Sequence, residues 1–126
     1  VTAPGFTLDT GALIALERRH DRVVRLLRWA VDRSVPATVP AVVLAEWWRG
    51  RTDVRERIRR AVVIEPMDAA LGCAAGDALA AVRGATTVDA IVMASAARRG
   101  DVVLTSDVGD LERLARHFKS VRVLAV

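Results

Sequence analysis

Four apolar runs in this chain each lead into an acid. FTLD ends at Asp9, VVLAE ends at Glu46, TTVDAIVMASAA carries Asp89, and VVLTSDVGD delivers Asp107 and Asp110 three positions apart. A short apolar run of strand character that turns polar reads as a buried parallel strand ending in a loop. Ligands of open α/β sheets gather at such strand ends, so parallel strands here would bring the acids to one sheet edge. Two carboxylates ~4 Å apart repel by about 1 to 4 kcal/mol at the dielectrics found near a protein surface, and gathering several is costly unless something offsets it. A hard divalent cation such as Mg²⁺ or Mn²⁺ reverses that balance, because it takes carboxylate oxygens and water as ligands. Thr10, Thr105 and Ser106 lie beside these acids in sequence and offer hydroxyls to orient them.

Each acid also has a structural reading. Asp9 and Asp107 follow strands and precede helices, where aspartate is a favoured N-cap worth about 0.5 to 2 kcal/mol. Thr86 and Asp89 have the spacing of a capping box, and Asp107 with Asp110 can act similarly. Glu46 differs. It falls inside an apolar helical stretch between Ala45 and Trp47, away from the first turn where the helix dipole favours a carboxylate. The setting predicts partial burial, and a buried carboxylate needs a partner. Arg49 at i+3 is one, and a shared cation is the other.

The elements that must position these residues follow from the hydrophobic pattern. After the lead-in at residues 1–5, FTL is a short first strand and TGALIAL a first helix, giving way to the charged ERRHDR. A second helix is expected from about Asp21 to Arg33, with an arginine-rich outer face. PATVP holds a brief strand, and Pro40 suits the first position of a helix running through AVVLAEWWRG to Gly50. Between Arg49 and Arg60, Val54 and Ile58 draw a narrow apolar stripe through six arginines, an amphipathic basic helix. AVVIEP is a third strand, Asp68 caps a helix from Ala69 to about Arg83, and Thr86 starts another that Gly100 stops. The strand VVLT, a helix from about Asp110 to His117 and a terminal strand VRVLAV complete the chain. Strands alternating with helices imply an α/β fold with a mainly parallel sheet.

Bulk properties bound the function. A chain of 126 residues, 52% hydrophobic and 27% charged, is expected to form one domain over 1–126 and is neither disordered nor fibrous. The absence of an apolar run of ~18 residues and of a leader-like start predicts a soluble, cytoplasmic protein with no membrane partner. Cys73 is the lone cysteine, which excludes an intramolecular disulfide and a thiolate cage and fits a small core residue. The net charge of +4 rests on 19 basic residues, of which only Lys119 is lysine, and the guanidinium fork suits phosphate. A nucleic-acid partner is thus compatible with the charge, as is a GC-rich coding sequence. His20 and His117 fall in arginine-containing helical regions and pair with nothing. Of the adjacent Trp47 and Trp48, one is expected in the core and the other toward a partner surface, while Trp29 is read as packing.

The motifs LDTGALIAL, VPAVVLAEWWRG, TVDAIVMASAARRG and VVLTSDVGDLERL, with their acids, resemble those of PIN-domain ribonucleases. Their order and the chain length are similar to the VapC-type toxins of bacterial and archaeal toxin–antitoxin pairs, over nearly the whole chain from Phe6 to Val126. The resemblance implies a three-layer sandwich whose five-stranded, mainly parallel sheet carries helices on both faces. It implies a Mg²⁺- or Mn²⁺-dependent endoribonuclease that acts on RNA, forms a homodimer and is blocked by a cognate antitoxin. The residues it assigns to the metal and to catalysis are Asp9, Glu46, Asp89 and Asp107, with Asp110 a further candidate ligand. A catalytically silent PIN-like module that binds RNA or protein is the alternative. A receiver-like or phosphatase-like domain fits less well, since Gly11 stands where aspartyl phosphatases place a second aspartate and Lys119 is in the wrong context for a receiver.

Overall fold

The computed structural model of the chain describes residues 4–126, so only Pro4 and Gly5 of the lead-in fall within it. Its elements in order are β1 (Phe6–Leu8), α1 (Thr10–Glu17), α2 (Asp21–Asp32), β2 (Ala37–Pro40), α3 (Ala41–Trp47), α4 (Asp53–Ala61), β3 (Val63–Glu65), α5 (Ala69–Ala81), α6 (Thr87–Arg99), β4 (Val102–Thr105), α7 (Val108–Ala115) and β5 (Arg122–Ala125). All pairings are parallel, in the order β3-β2-β1-β4-β5. Register places Leu8 opposite Leu104 and Phe6 opposite both Ala37 and Val102. No helix among the described residues is long and apolar enough to cross a membrane.

The winding direction reverses at β1. The chain steps outward through β2 to β3, then crosses back to β4 and on to β5. Right-handed crossovers therefore put α1 to α4 on one face and α5 to α7 on the other. The C-terminal ends of β1 and β4 border the crevice at this switch point, the usual ligand position in such sheets.

Burial explains why the shortest strands hold. Every residue of β1 is buried, as are Val103, Leu104 and Thr105 of β4. Across them lies α6, whose Ala90 to Ala96 segment is wholly buried and mostly small. Small side chains let α5, α6 and the sheet approach closely. At about 1.5–3 kcal/mol per large apolar side chain, Leu8, Leu13, Leu71, Met93, Leu104, Leu111 and Leu114, all nearly or fully buried, supply much of the driving force.

Several boundaries shift from the expectation. α3 stops at Trp47 and not at Gly50, because Trp48 turns extended. Pro40 ends β2 and caps α3 from outside the helix, one position earlier than expected. α4 begins only at Asp53, where the Thr52 hydroxyl accepts from the Arg55 N–H, so Arg49 and Arg51 belong to a loop. α7 begins at Val108 and not at Asp110. Gly100 closes α6 in the left-handed conformation (φ +71°) that glycine adopts without steric cost. Cys73 is exposed on α5 and not in the core, since Leu71, Ala75 and Ala78 form that helix's buried stripe.

Candidate active site

The chain leaves β1 at Leu8 and the Asp9 N–H immediately donates to the Leu104 carbonyl of β4 (3.2 Å). This stitch fixes the position of Asp9, whose Oδ1 accepts from the Ala12 N–H (2.8 Å) and caps α1. The other oxygen is not needed for that cap. The first turn of α1 lies tightly against the loop after β4: a Cβ on Gly11 would stand 2.0 Å from Ser106 Oγ and 3.1 Å from Ser106 Cβ. An alanine there would require the Ser106 hydroxyl to turn away and its Cβ to give by a few tenths of an ångström.

On the other side of the crevice the fully buried Thr105 ends β4. Its hydroxyl accepts from the Asp107 N–H (3.0 Å) and favours the charged form of the Asp9 carboxyl. Asp107 is the N-cap residue of α7, yet its side chain makes no capping bond. Its oxygens are exposed and uncommitted, and Asp110 follows in the first turn, also exposed. Asp89 sits in the first turn of α6, half-buried, with its N–H on Thr86 Oγ1 (3.1 Å). Glu46 lies in the last turn of α3 and accepts from Thr10 Oγ1 at 2.6 Å.

Two expectations for Glu46 are corrected. It is exposed and not partly buried, because Val43 and Trp47 take the inward face of α3. Its partner is Thr10 and not Arg49, whose guanidinium instead donates to the Ala45 and Trp48 carbonyls (3.2 Å each).

The five acids share one electrostatic environment. Burial pushes the Asp9 carboxyl above its usual range, the Thr105 hydroxyl and Ala12 N–H pull it down, and Asp89 and Asp107 push it up again. Asp89 is raised as well, first by burial, with Thr86 opposing and Asp110, Glu46 and Asp107 adding to the rise. In a chain with a net charge of +4 such repulsion has an obvious remedy, and elsewhere the fold uses it. Glu17, Asp53, Glu56, Glu65, Asp68 and Asp101 each face an arginine. Among the described residues, none of Asp9, Glu46, Asp89, Asp107 and Asp110 does.

This donor set is oxygen alone, the chemistry a hard divalent cation takes. In their present rotamers no three of these side chains, among the described residues, stand close enough to enclose an ion. Asp107 and Asp110 are exposed with no side-chain partner among the described residues, Glu46 is exposed but bonded to Thr10, and the Asp9 carboxylate is held by the Ala12 N–H.

Sequence patterns missed a second polar centre. Asp101, 1% exposed, accepts from the Gly5 N–H (2.7 Å), Thr7 Oγ1 (2.8 Å) and Arg99 Nε (2.8 Å). Arg99 also reaches Glu65, Thr7 and Ser95. RRGD reads locally as a solvated turn, and nothing in it signals burial. Of the tryptophans, Trp47 is buried with Nε1 donating to Glu17 (3.0 Å), and Trp48 is half-buried edge-on to it. Trp29 is 44% exposed, packed on Phe6 and covered by Arg33. His20 and His117 are exposed.

A doubly wound parallel sheet with carboxylates gathered at its switch point defines a class of acidic-site α/β domains. Within that class the PIN-domain model matches residues 6–117, and the chain belongs to the PIN-domain family. No curated relative matches. Among solved structures the chain is similar to DNA-bound VapBC from Salmonella typhimurium, with a TM-score of 0.74, 18% identity and coverage of 97% of this chain and 98% of that one. VapBC2 from Rickettsia felis, bound to a promoter DNA fragment, gives a TM-score of 0.75 at 12% identity, covering 96% and 98%. FitAB bound to a DNA fragment gives 0.62 at 18% identity, covering 95% and 94%. These likenesses establish a shared fold.

Proposed function

We propose that the chain is a Mg²⁺- or Mn²⁺-dependent endoribonuclease acting as the toxin of a toxin–antitoxin pair. One observation carries the reading: five carboxylates share one electrostatic environment at the switch point and, among the described residues, none stands within ion-pair distance of an arginine, whereas Glu17, Asp68 and Asp101 elsewhere each do. Asp9, Glu46, Asp89 and Asp107 would hold the metal and serve catalysis, with Asp110 as a further ligand beside Asp107. A bound Mg²⁺ or Mn²⁺ would neutralise charge on the phosphodiester and make a nearby water more acidic.

The protein groups have separate tasks. Asp9, its carboxylate anchored by the Ala12 N–H, and Asp89, carried on the first turn of α6 that Thr86 caps, form one wall. Thr105 holds the backbone of Asp107 and favours the charged form of Asp9, while the Asp9 N–H on the Leu104 carbonyl keeps β1 and β4 in register. Thr10 aims Glu46 from across the site. In-line attack by water on phosphorus leaves 5′-phosphate and 3′-hydroxyl ends, whereas a metal-free route through the 2′-hydroxyl leaves a cyclic phosphate.

Structural likeness to VapBC and FitAB supports a protein antitoxin as partner. Between α2 and α4 an apolar hollow of about 400 Å³, lined by Leu27 and Ile58 and flanked by Arg28 and Arg57, suits an amphipathic segment with acidic flanks. A second copy of the chain is the further expected partner, checked by sedimentation equilibrium.

The test is cleavage of total RNA by the purified chain with Mn²⁺ and with EDTA, beside Asp89→Asn. Metal-dependent cutting lost in the variant is expected. Absence of cutting by folded, antitoxin-free protein would overturn the enzyme reading in favour of a silent RNA- or protein-binding module.

A further inference from the structure

Beside the carboxylates lies a second feature of opposite charge. A hollow of about 590 Å³ is lined by Arg18, Arg49 and Arg55 with Glu17 and Glu46, and Ile14 and Trp47 form part of its apolar wall. Glu46 is the one member of the acidic set that lines it, so the hollow leads directly away from the candidate active site.

Its three arginines are not equivalent. Arg55 is committed: Nε stands 3.1 Å from Glu17, and Nη1 donates to the Arg49 and Gly50 carbonyls (3.2 and 3.1 Å). Glu17 in turn accepts from Trp47. α1, α3 and α4 thereby clamp the loop that carries Arg49. Arg49 uses only Nη1, on two carbonyls at the end of α3, and Nε and Nη2 have no partner among the described residues. Arg18, the exposed residue that ends α1, makes no ion pair or side-chain hydrogen bond among them. Two uncompensated guanidinium groups thus face one hollow, one of them on a braced loop.

We propose that Arg18 and Arg49 form a phosphate-binding subsite that grips the RNA strand next to the bond being cut. The proposal rests on the nuclease reading for its substrate. The guanidinium fork matches a phosphodiester's two free oxygens, and both arginines line the same hollow as Glu46. The structural alternative is that Arg49 merely satisfies the carbonyls at the end of α3. That role would change stability and leave RNA affinity alone.

The experiment measures binding of a fluorescein-labelled single-stranded RNA of mixed sequence by anisotropy, in EDTA and across a KCl series. The proteins are wild type, Arg18→Ala, Arg49→Ala and Arg49→Lys. Arg122→Ala is the control, since Arg122 is exposed at the start of β5, at the opposite end of the sheet from the acids. Arg18→Ala, which removes no hydrogen bond of the fold, and Arg49→Ala should each weaken binding about five- to tenfold. Each should lower the slope of log affinity against log salt by about 0.7, the value for one phosphate contact on a single strand. Arg49→Lys should recover the slope, and Arg122→Ala should resemble wild type. Unchanged affinity and slope in Arg18→Ala and Arg49→Ala would overturn the subsite, including the case where only binding of an acidic protein segment is lost. Because binding is read without metal, a failure of the nuclease reading shows separately, as absent cleavage by wild type.

Discussion

Thr10 Oγ1 stands 2.6 Å from Glu46 Oε1, joining the first turn of α1 to the last turn of α3 across 36 positions of sequence. Both residues are near the surface, so the bond contributes about 0.5–1.5 kcal/mol to stability at most. Its value lies in aim, because Glu46 is exposed and has no other partner among the described residues. Thr10→Val should reduce kcat about tenfold with little change in melting temperature. Thr10→Ser should restore kcat. Equal activity in Thr10→Val would mean that Glu46 needs no positioning.

The raised Asp9 and Asp89 carboxyls make the metal-free site a stability cost. Their folded-state pKa values lie above the usual value near 3.8, so between those limits the folded chain holds more protons than the unfolded one. Stability therefore falls as pH rises through that window, and the full penalty is present at neutral pH. Asp89→Asn should raise the melting temperature of metal-free protein at pH 7 by a few degrees. The gain should vanish below the carboxylate range, where Asp89 is protonated in both states. The same variant should lose cleavage, and a drop in melting temperature at pH 7 would contradict the repulsion argument.

Metal should invert that result. Mn²⁺ at about 100 times its dissociation constant stabilises a folded-state site by roughly 2.7 kcal/mol. A thermal melt of wild type across a Mn²⁺ titration should move upward, and Asp89→Asn should respond much less. A flat titration would count against any site formed by these acids.

What the sequence disclosed and what it hid have physical reasons. β1 has three residues and β4 four, yet both were legible because a strand buried on two faces is a continuous apolar run ending in polar residues. α6 was legible because Thr86 and Gly100 mark its two ends. The side of each acid was not. Glu46 looked inward because its neighbours are apolar, but α3 ends one residue later and presents Val43 and Trp47 to the core. Capping and ligation also looked alike for Asp9 and Asp107. In the fold Asp9 caps α1, whereas Asp107 makes no cap and keeps its oxygens free. The Asp101 cluster was invisible because its partners, Gly5, Thr7 and Arg99, come together only through the β1–β4 pairing and the end of α6.

Gly11 is a test of how tightly the two sides of the crevice are coupled. Alanine there must displace Ser106, whose Cβ as well as its hydroxyl is in the way, and Ser106 precedes Asp107. Overpacking of this kind costs about 1–3 kcal/mol, and the displacement would move Asp107 relative to Asp9. Gly11→Ala should lose far more kcat than stability, and Gly11→Ala/Ser106→Gly should recover most of both. Failure of the double variant to recover would place the constraint elsewhere than this contact.

Arg99 permits the opposite separation, of stability from activity. It is the cation for two acids, Asp101 and Glu65, in surroundings where Arg99 and Asp101 side chains are only 7% and 1% exposed. Removing one partner of a buried pair leaves an uncompensated charge, at about 3–5 kcal/mol. Arg99→Met should lower the urea midpoint accordingly, and Arg99→Met/Asp101→Asn should regain part of the loss because one of the two stranded charges is gone. Asp101 and Gly5 precede their strands and so lie at the end of the sheet opposite the carboxylates, and Glu65, though it ends β3, stands on the outer strand, two strands from β1 and three from β4. The folded fraction of either variant should therefore keep wild-type specific cleavage and wild-type Mn²⁺ dependence. A loss of cleavage exceeding the loss of folded protein would show that this buried network is coupled to the acidic edge.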